Sequence, residues 1–317
     1  MTSFIIRRLL WMIPVLGAAA TLVWVFMFLI PGDPARILAG QRADPDVLAQ
    51  VRNEWGLDRP APVRYAKYLW KLAHLDLGVS YVQHGRKVSE IILEGMWRTF
   101  FLAITATVLA ALLGLSVGAL SAAFRGTFID AALLGVGTAG IALPTFWLGL
   151  MLILVFASWL GWFPVSGYSA TGEIGRLGLP SPAHLVLPSF TLAIFSGGYL
   201  SRVARASLVE ESSQEYARAA RARGASSLST LMKHTLSNSL LPIITLLGLN
   251  FGALLGGAIA TETVFNWPGL GSVMYRALSN RDLPVVEGGA IALTAAFLLV
   301  NLAVDLSYGI LDPRTRD

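Results

Sequence analysis

Two carboxylates stand where a carboxylate needs a reason. Asp305 lies within the last apolar span, one helical turn after Asn301. At the centre of a bilayer such a group costs about 2.5 to 3.5 kcal/mol on insertion scales, so it must meet a partner or water. It can serve a proton relay or a structural ion pair. Only roughly 10 Å of helical rise separates it from Asp312-Pro313 at the end of that span. This favours the structural pair, with Arg202 or Arg205 as candidate partners. Glu262 precedes Phe265, Asn266 and Trp267 near the end of another apolar run. These four either border a translocation path, meeting a backbone amide or an ammonium group there, or form an interfacial belt in which the aromatic rings anchor a loop. Both readings stay open.

Other chemistry is excluded. The chain has no cysteine, so thiolate nucleophiles, disulfides and cysteine metal sites are absent. His74, His84, His184 and His234 lack metal-ligand spacing, and no G-x-x-x-x-G-K-[ST] phosphate loop occurs. No catalytic residue, metal site or cofactor is therefore assigned to this chain.

The elements that must position these groups are membrane spans. Of 317 residues, 55% are hydrophobic and 14% charged, with mean hydropathy +0.64. Charge-free stretches recur at 9–30, 99–124, 131–172, 177–201, 235–261 and 288–304, most of them reaching the ~20 residues that cross a hydrocarbon core. One span from each gives six. The third stretch is long enough for two short spans around Leu143-Pro144, or for one proline-kinked helix followed by an interfacial segment. With one span there, Arg7, Arg8, Arg125, Arg202, Arg205, Arg218, Arg221, Arg223, Lys233, Arg314 and Arg316 share a side, against Arg176, Arg276 and Arg281 in the short loops opposite. By the positive-inside rule the first side is cytoplasmic, as are both termini. The net charge of +5 is scattered over membrane-flanking loops, which suits lipid headgroups rather than a nucleic acid. Pro14, Pro144, Pro188 and Pro242 kink or begin spans, and Gly248, Gly252 and Gly256 have the small-residue spacing that lets helices approach.

The chain thus divides into 1–30 (N-terminus and first span), 31–98 (an external helical segment) and 99–317 (a five-span core). In the external segment, Asp44-Pro45 starts a helix that Gly56 ends, with Val47, Leu48, Val51 and Trp55 on one face. A second helix runs from about Pro62 to His74 with Val63, Ala66, Leu69, Trp70 and Ala73 inward, and a third from about Lys87 feeds the second span. Between the fourth and fifth spans, 212–236 holds two short cytoplasmic helices. Ser212 and Glu215 have capping-box spacing, and Gly224 suits a left-handed helix end. The alanines keep the first of these helices slim enough to dock into a groove. Membrane tethering on both sides argues against a DNA-reading helix-turn-helix here.

The pattern Glu215-Tyr216-x-x-Ala219-Ala220-x-x-x-Gly224 resembles the EAA coupling motif of bacterial ABC-importer permeases. Further stretches resemble the dipeptide, oligopeptide and nickel permease family, in the subunit type with a large external segment after span one. They are Pro31-Gly32-Asp33-Pro34, Leu75-Asp76-Leu77-Gly78, Ile141 to Phe146, Glu262 to Gly271, Asn301 to Asp305 and Leu311 to Arg314. The resemblance implies an all-α polytopic protein with a type I importer core in the bacterial plasma (inner) membrane. It also implies a second homologous permease, two cytoplasmic ATPase subunits that bind ATP and Mg, and an external binding protein delivering substrate. Glu215, Tyr216, Ala219, Ala220 and Gly224 would be the coupling residues, and peptide the leading substrate class. Nickel complexes, glutathione and oligosaccharides are alternatives within that role, and a proton-coupled secondary transporter is the rival outside it.

Overall fold

The computed structural model describes residues 2–29, 35–36, 44–83, 85–168, 179–230, 233 and 235–311. The Pro31-Gly32-Asp33-Pro34 stretch, His84, Arg176, His234 and the chain beyond Leu311 lie outside them. Among the described residues the regular structure is helical, apart from one isolated antiparallel bridge between Val79 and Lys87. In chain order the helices are α1 (Thr2–Leu29), α2 (Pro45–Trp55), α3 (Ala61–Ala73), α4 (Val88–Ala123), α5 (Phe128–Ala142), α6 (Thr145–Leu152, continued by a π-helical turn Ile153–Trp159) and α7 (Pro182–Ser212). There follow α8 (Glu215–Ala222), α9 (Ser227–Thr230), α10 (Leu236–Gly257), α11 (Ile259–Val264), α12 (Leu270–Ser279) and α13 (Leu283–Leu311).

Helices α1, α4, α7, α10 and α13 are each long and apolar enough to cross a membrane, and α5 with α6 makes a sixth crossing if that bent pair is one span. The bend is 102°. Its cause is Pro144, which removes a helix N–H and pushes Leu143 into extended backbone, at φ −81 and ψ 133. The 15 residues of α5 reach only about 22 Å, less than a hydrocarbon core, so this arm does not cross alone.

By its contacts the chain forms two compact units, one of Arg98–Pro268 with Leu299 onward, the other of Thr2–Trp97 with Gly269–Leu298. The sequence reading gave 99–317 to one core; the fold instead groups 269–298 with the N-terminal segments.

In the first unit, α7 is the central helix, with α5, α6 and α10 packed along it. Small residues let α5 come close. A Cβ on Gly137 would stand 2.9 Å from Ser201 Oγ, and one on Gly198 would strike the Gly137 carbonyl. Gly248 packs against Val304 so closely that any side chain there would overlap it, whereas Gly256 has open space. Of the two, only Gly248 is a close-approach position.

In the second unit, Val88, Ile91, Ile92, Leu270, Val285 and Val286 form the core. Asp282, buried beside it, accepts hydrogen bonds from Ser80 Oγ and from Tyr81 N (3.0 Å), pinning the turn before α4. Leu75-Asp76-Leu77-Gly78 is itself a turn, with Gly78 N donating to Asp76 Oδ1 (2.9 Å). Helix α2 ends as expected on Gly56 at φ +65. The inward face of α3 differs from expectation. Arg64, Tyr65, Tyr68, Leu69 and Leu72 are half-buried, while Val63, Ala66, Trp70 and Ala73 are exposed. Tyrosine wins this face because it combines ring packing with a polar tip: Tyr65 Oη shares a hydrogen bond with Thr21 Oγ1 (2.7 Å) and its ring meets Trp24 at 5.1 Å.

Candidate functional site

The short helix α8 is built on the end of α7. Ala217 and Ala220 are buried and turn toward α7. Glu215, Tyr216, Arg218, Ala219 and Ala222 are exposed on the opposite side. Ala220, one of the expected coupling residues, is part of the inward seat, and Ala217 joins it. Methyl groups suffice there because the two helices are close.

The start of α8 is not a capping box. Ser212 belongs to the last turn of α7 and its hydroxyl donates to Leu208 O (2.6 Å), which leaves Gln214 as the N-cap without a side-chain bond. Two other contacts fix the helix. Tyr216 Oη donates to a carboxylate oxygen of Glu211 (2.6 Å), and Arg221 Nη2 donates to the carbonyl of Ser212 (3.1 Å), one of the α7 carbonyls left over at the helix end. Desolvation first, and then the Glu211 carboxylate, push the Tyr216 phenol above its ordinary value, so it remains a donor. The far end closes as a Schellman turn. Gly224 has φ +92, Ala225 N donates to Ala220 O (3.2 Å) and Gly224 N to Arg221 O (2.9 Å). A rigid helix therefore shows an exposed Glu-Tyr-Ala face, and its exit direction is set by one glycine.

The second candidate group does not border an open path. Glu262, Phe265 and Trp267 are 0%, 2% and 0% exposed, and of the four only Asn266 reaches the surface. Glu262 accepts from Thr99 Oγ1 (2.6 Å), and Trp267 N closes the turn onto Glu262 O (2.7 Å). The Trp267 indole donates to Arg98 O (3.2 Å) and meets Tyr168 edge to face at 4.9 Å. The Arg98 guanidinium lies 5.2 Å from the Tyr168 ring centre, a cation–π contact. Phe265 packs with Ala157 and Leu187. These side chains brace the 262–268 loop from within, the opposite of a path lining; a buried aromatic and a bonded carboxylate are what a tight loop inside a helical unit requires.

The expected partners of Asp305 are engaged elsewhere. Arg205 makes a two-pronged pair with Asp130, Nε to Oδ1 at 2.7 Å and Nη2 to Oδ2 at 2.6 Å, and Arg202 Nη2 donates to Thr138 Oγ1 (2.9 Å). Asp130 is buried and also accepts from Ser121 Oγ and from Gly126 N (2.9 Å). Asp305 and Asn301 are half-buried on α13. The Asn301 Oδ1 atom is buried without a hydrogen-bond partner among the described residues. Asp130 and Arg98 were not singled out from the sequence. Among the described residues, no cluster of histidine and carboxylate side chains has the arrangement of a metal site.

Comparison with known proteins covers the whole chain. Residues 111–317 match the family described as binding-protein-dependent transport system inner membrane component, and residues 1–103 match its N-terminal membrane component. The chain is 38% identical over 316 residues to the glutathione transport system permease protein GsiC of Salmonella paratyphi A, covering 100% of this chain and 99% of that protein. The GsiC protein of Escherichia coli K12 matches with the same identity and coverage. Two inward-facing crystal forms of the MetNI methionine ABC transporter share the fold over 70% of this chain and 97% and 96% of theirs, at TM-scores of 0.54 and 0.58 and identities of 18% and 17%.

Proposed function

Because the chain belongs to the family of binding-protein-dependent transport system inner membrane components, we propose that it passes short peptides across the bacterial inner membrane. It is a permease subunit of an ABC importer, a multi-pass inner-membrane protein whose ATP hydrolysis resides in separate subunits. The observation that carries the substrate class is the full-length likeness to permeases named for glutathione, a tripeptide.

In this reading an external binding protein delivers the peptide, a second homologous permease completes the path, and two ATPase subunits grip the cytoplasmic side. Both termini are then cytoplasmic and the 31–98 segment external. The exposed face of α8, with Glu215, Tyr216 and Ala219, seats in an ATPase groove, and Ala217 and Ala220 transmit its movement to α7. A helix tied to a span at Tyr216 and Arg221 moves with that span rather than independently of it. Asn266 is exposed on its loop for contact with peptide or binding protein.

The test is reconstitution of the permease with its partner subunits and binding protein in proteoliposomes. Glutathione or dipeptide should accumulate only with ATP and binding protein present, with a nickel complex and an oligosaccharide as comparison substrates. Uptake driven by an imposed proton gradient without the ATPase subunits would refute the proposal. Preferential uptake of the nickel complex or oligosaccharide would keep the importer and overturn the peptide.

A further inference from the structure

The unit formed by residues 2–97 and 269–298 holds a half-open cavity of about 590 Å3. That volume is ample for a small ligand, since such pockets run from about 300 to 1,000 Å3. No residue of 212–224 or 262–268 lines it.

Its charges do not balance. Lys71 pairs with Asp76 at 3.7 Å. The exposed Arg59, Lys67 and Lys87 and the half-buried Arg64 then outnumber the one remaining carboxylate of the lining, Glu287. Deeper in the wall stand half-buried Glu287 and two phenols. The hydroxyl of Tyr68 is buried and has no hydrogen-bond partner among the described residues. Burial, and next the charge of Glu287, push the Tyr81 phenol up to about 12 and that of Tyr68 higher still, so both are neutral donors at physiological pH. A wall with surplus cations and one carboxylate is matched by a molecule that has an anionic end and a cationic end.

We propose that this cavity binds a small zwitterion, its carboxylate or phosphate end held by Arg59, Lys67 and Lys87 and its ammonium end by Glu287. Two sources share this chemistry. One is a short peptide, which rests on the peptide reading above. The other is a phosphoethanolamine lipid headgroup, in reach because Trp24 and Glu287 belong to the apolar helices α1 and α13.

The experiment uses the assembled permease complex without binding protein, in nanodiscs of phosphatidylglycerol, a lipid with no ammonium group. Binding of triglycine is followed by calorimetry, and phosphatidylethanolamine retained from cells by native mass spectrometry. For the peptide source, triglycine binds saturably. Its affinity falls at least about tenfold in Glu287→Gln and in the triple substitution Arg59→Gln, Lys67→Gln, Lys87→Gln, as expected for lost charged hydrogen bonds. N-acetyl-triglycine, which lacks the ammonium, and triglycine amide, which lacks the carboxylate, bind the unmodified protein at least about tenfold more weakly. Glu287→Gln then leaves N-acetyl-triglycine unaffected, a result that loss of folding cannot mimic. For the lipid source, one phosphatidylethanolamine is retained, triglycine does not displace it, and Glu287→Gln releases it. If neither zwitterion is held, or if binding ignores both the substitutions and the blocked peptides, the site does not exist. Because neither uptake nor ATP enters the measurement, failure of the peptide-import reading registers separately, as lost uptake in proteoliposomes.

Discussion

Replacing Gly224 by valine isolates the exit turn of α8. A Cβ built at Gly224 meets nothing within 4 Å, so no neighbour is pushed and the whole effect is conformational. At φ +92 an ordinary L-residue is disfavoured by about 1–2 kcal/mol, and a β-branched one falls at the upper end. About 2 kcal/mol is a roughly thirtyfold loss in the population of the closed turn. The bonds from Ala225 N to Ala220 O and from Gly224 N to Arg221 O are lost with it. The ties from Tyr216 to Glu211 and from Arg221 to Ser212 lie before the turn and survive, so α8 stays seated while the chain leaving it is redirected. In the reconstituted complex, ATPase stimulation by loaded binding protein and peptide uptake should fall in the order Gly, Asn, Ala, Val, because asparagine tolerates the left-handed region best. Membrane insertion and pairing with the second permease should stay normal throughout the series. A Gly224→Val complex with normal stimulated hydrolysis and normal uptake would sink the coupling role, and a series that tracked loss of insertion would reassign the glycine to folding.

Three further outcomes are expected. Asp130→Asn should lower the melting temperature of the purified permease, and adding Arg205→Gln should restore part of the loss because the double variant buries no unpaired charge; equal loss in single and double variants would show that the pair is not the relevant contact. Trp267→Ala, at a fully buried site, should cost about 3–5 kcal/mol of stability, read by thermal unfolding in detergent; a stable Trp267→Ala protein that has lost uptake would return this residue to the translocation path. Single cysteines at Ala61 and Ala222 should react with an impermeant thiol reagent only from outside and only from inside, respectively; labelling of both from one face would break the proposed orientation.

What the sequence disclosed follows from what a bilayer enforces. A span must be apolar over its length, so charge-free stretches located the long helices, whereas their ends depend on contacts that no stretch reveals. Helix α7 runs on past Ser201 through Arg202 and Arg205 to Ser212, because those arginines find Thr138 and Asp130 on α5. Counting uncharged residues from Ala131 excluded Asp130 from the third stretch, and so hid the partner that keeps Arg205 inside the packed unit. A local signal was present. Thr127 caps α5, its hydroxyl accepting from Asp130 N (3.4 Å), just after Gly126 at φ +79. The same three-residue spacing at Ser212 and Glu215 failed, since Ser212 was still inside α7 and its hydroxyl was already committed to Leu208 O. Spacing alone therefore does not make a cap; the preceding residue must have left its own helix first, as Gly126 ensures in one case and nothing ensures in the other. Helix α3 carries the same lesson at the level of a face. Ranking by hydrophobicity turned Val63 and Trp70 inward, but the unit needed side chains that could both pack on Trp24 and bond Thr21, and only the tyrosine stripe does both. Polar partners drawn from distant segments thus decide where the elements of this protein stop and which way they turn.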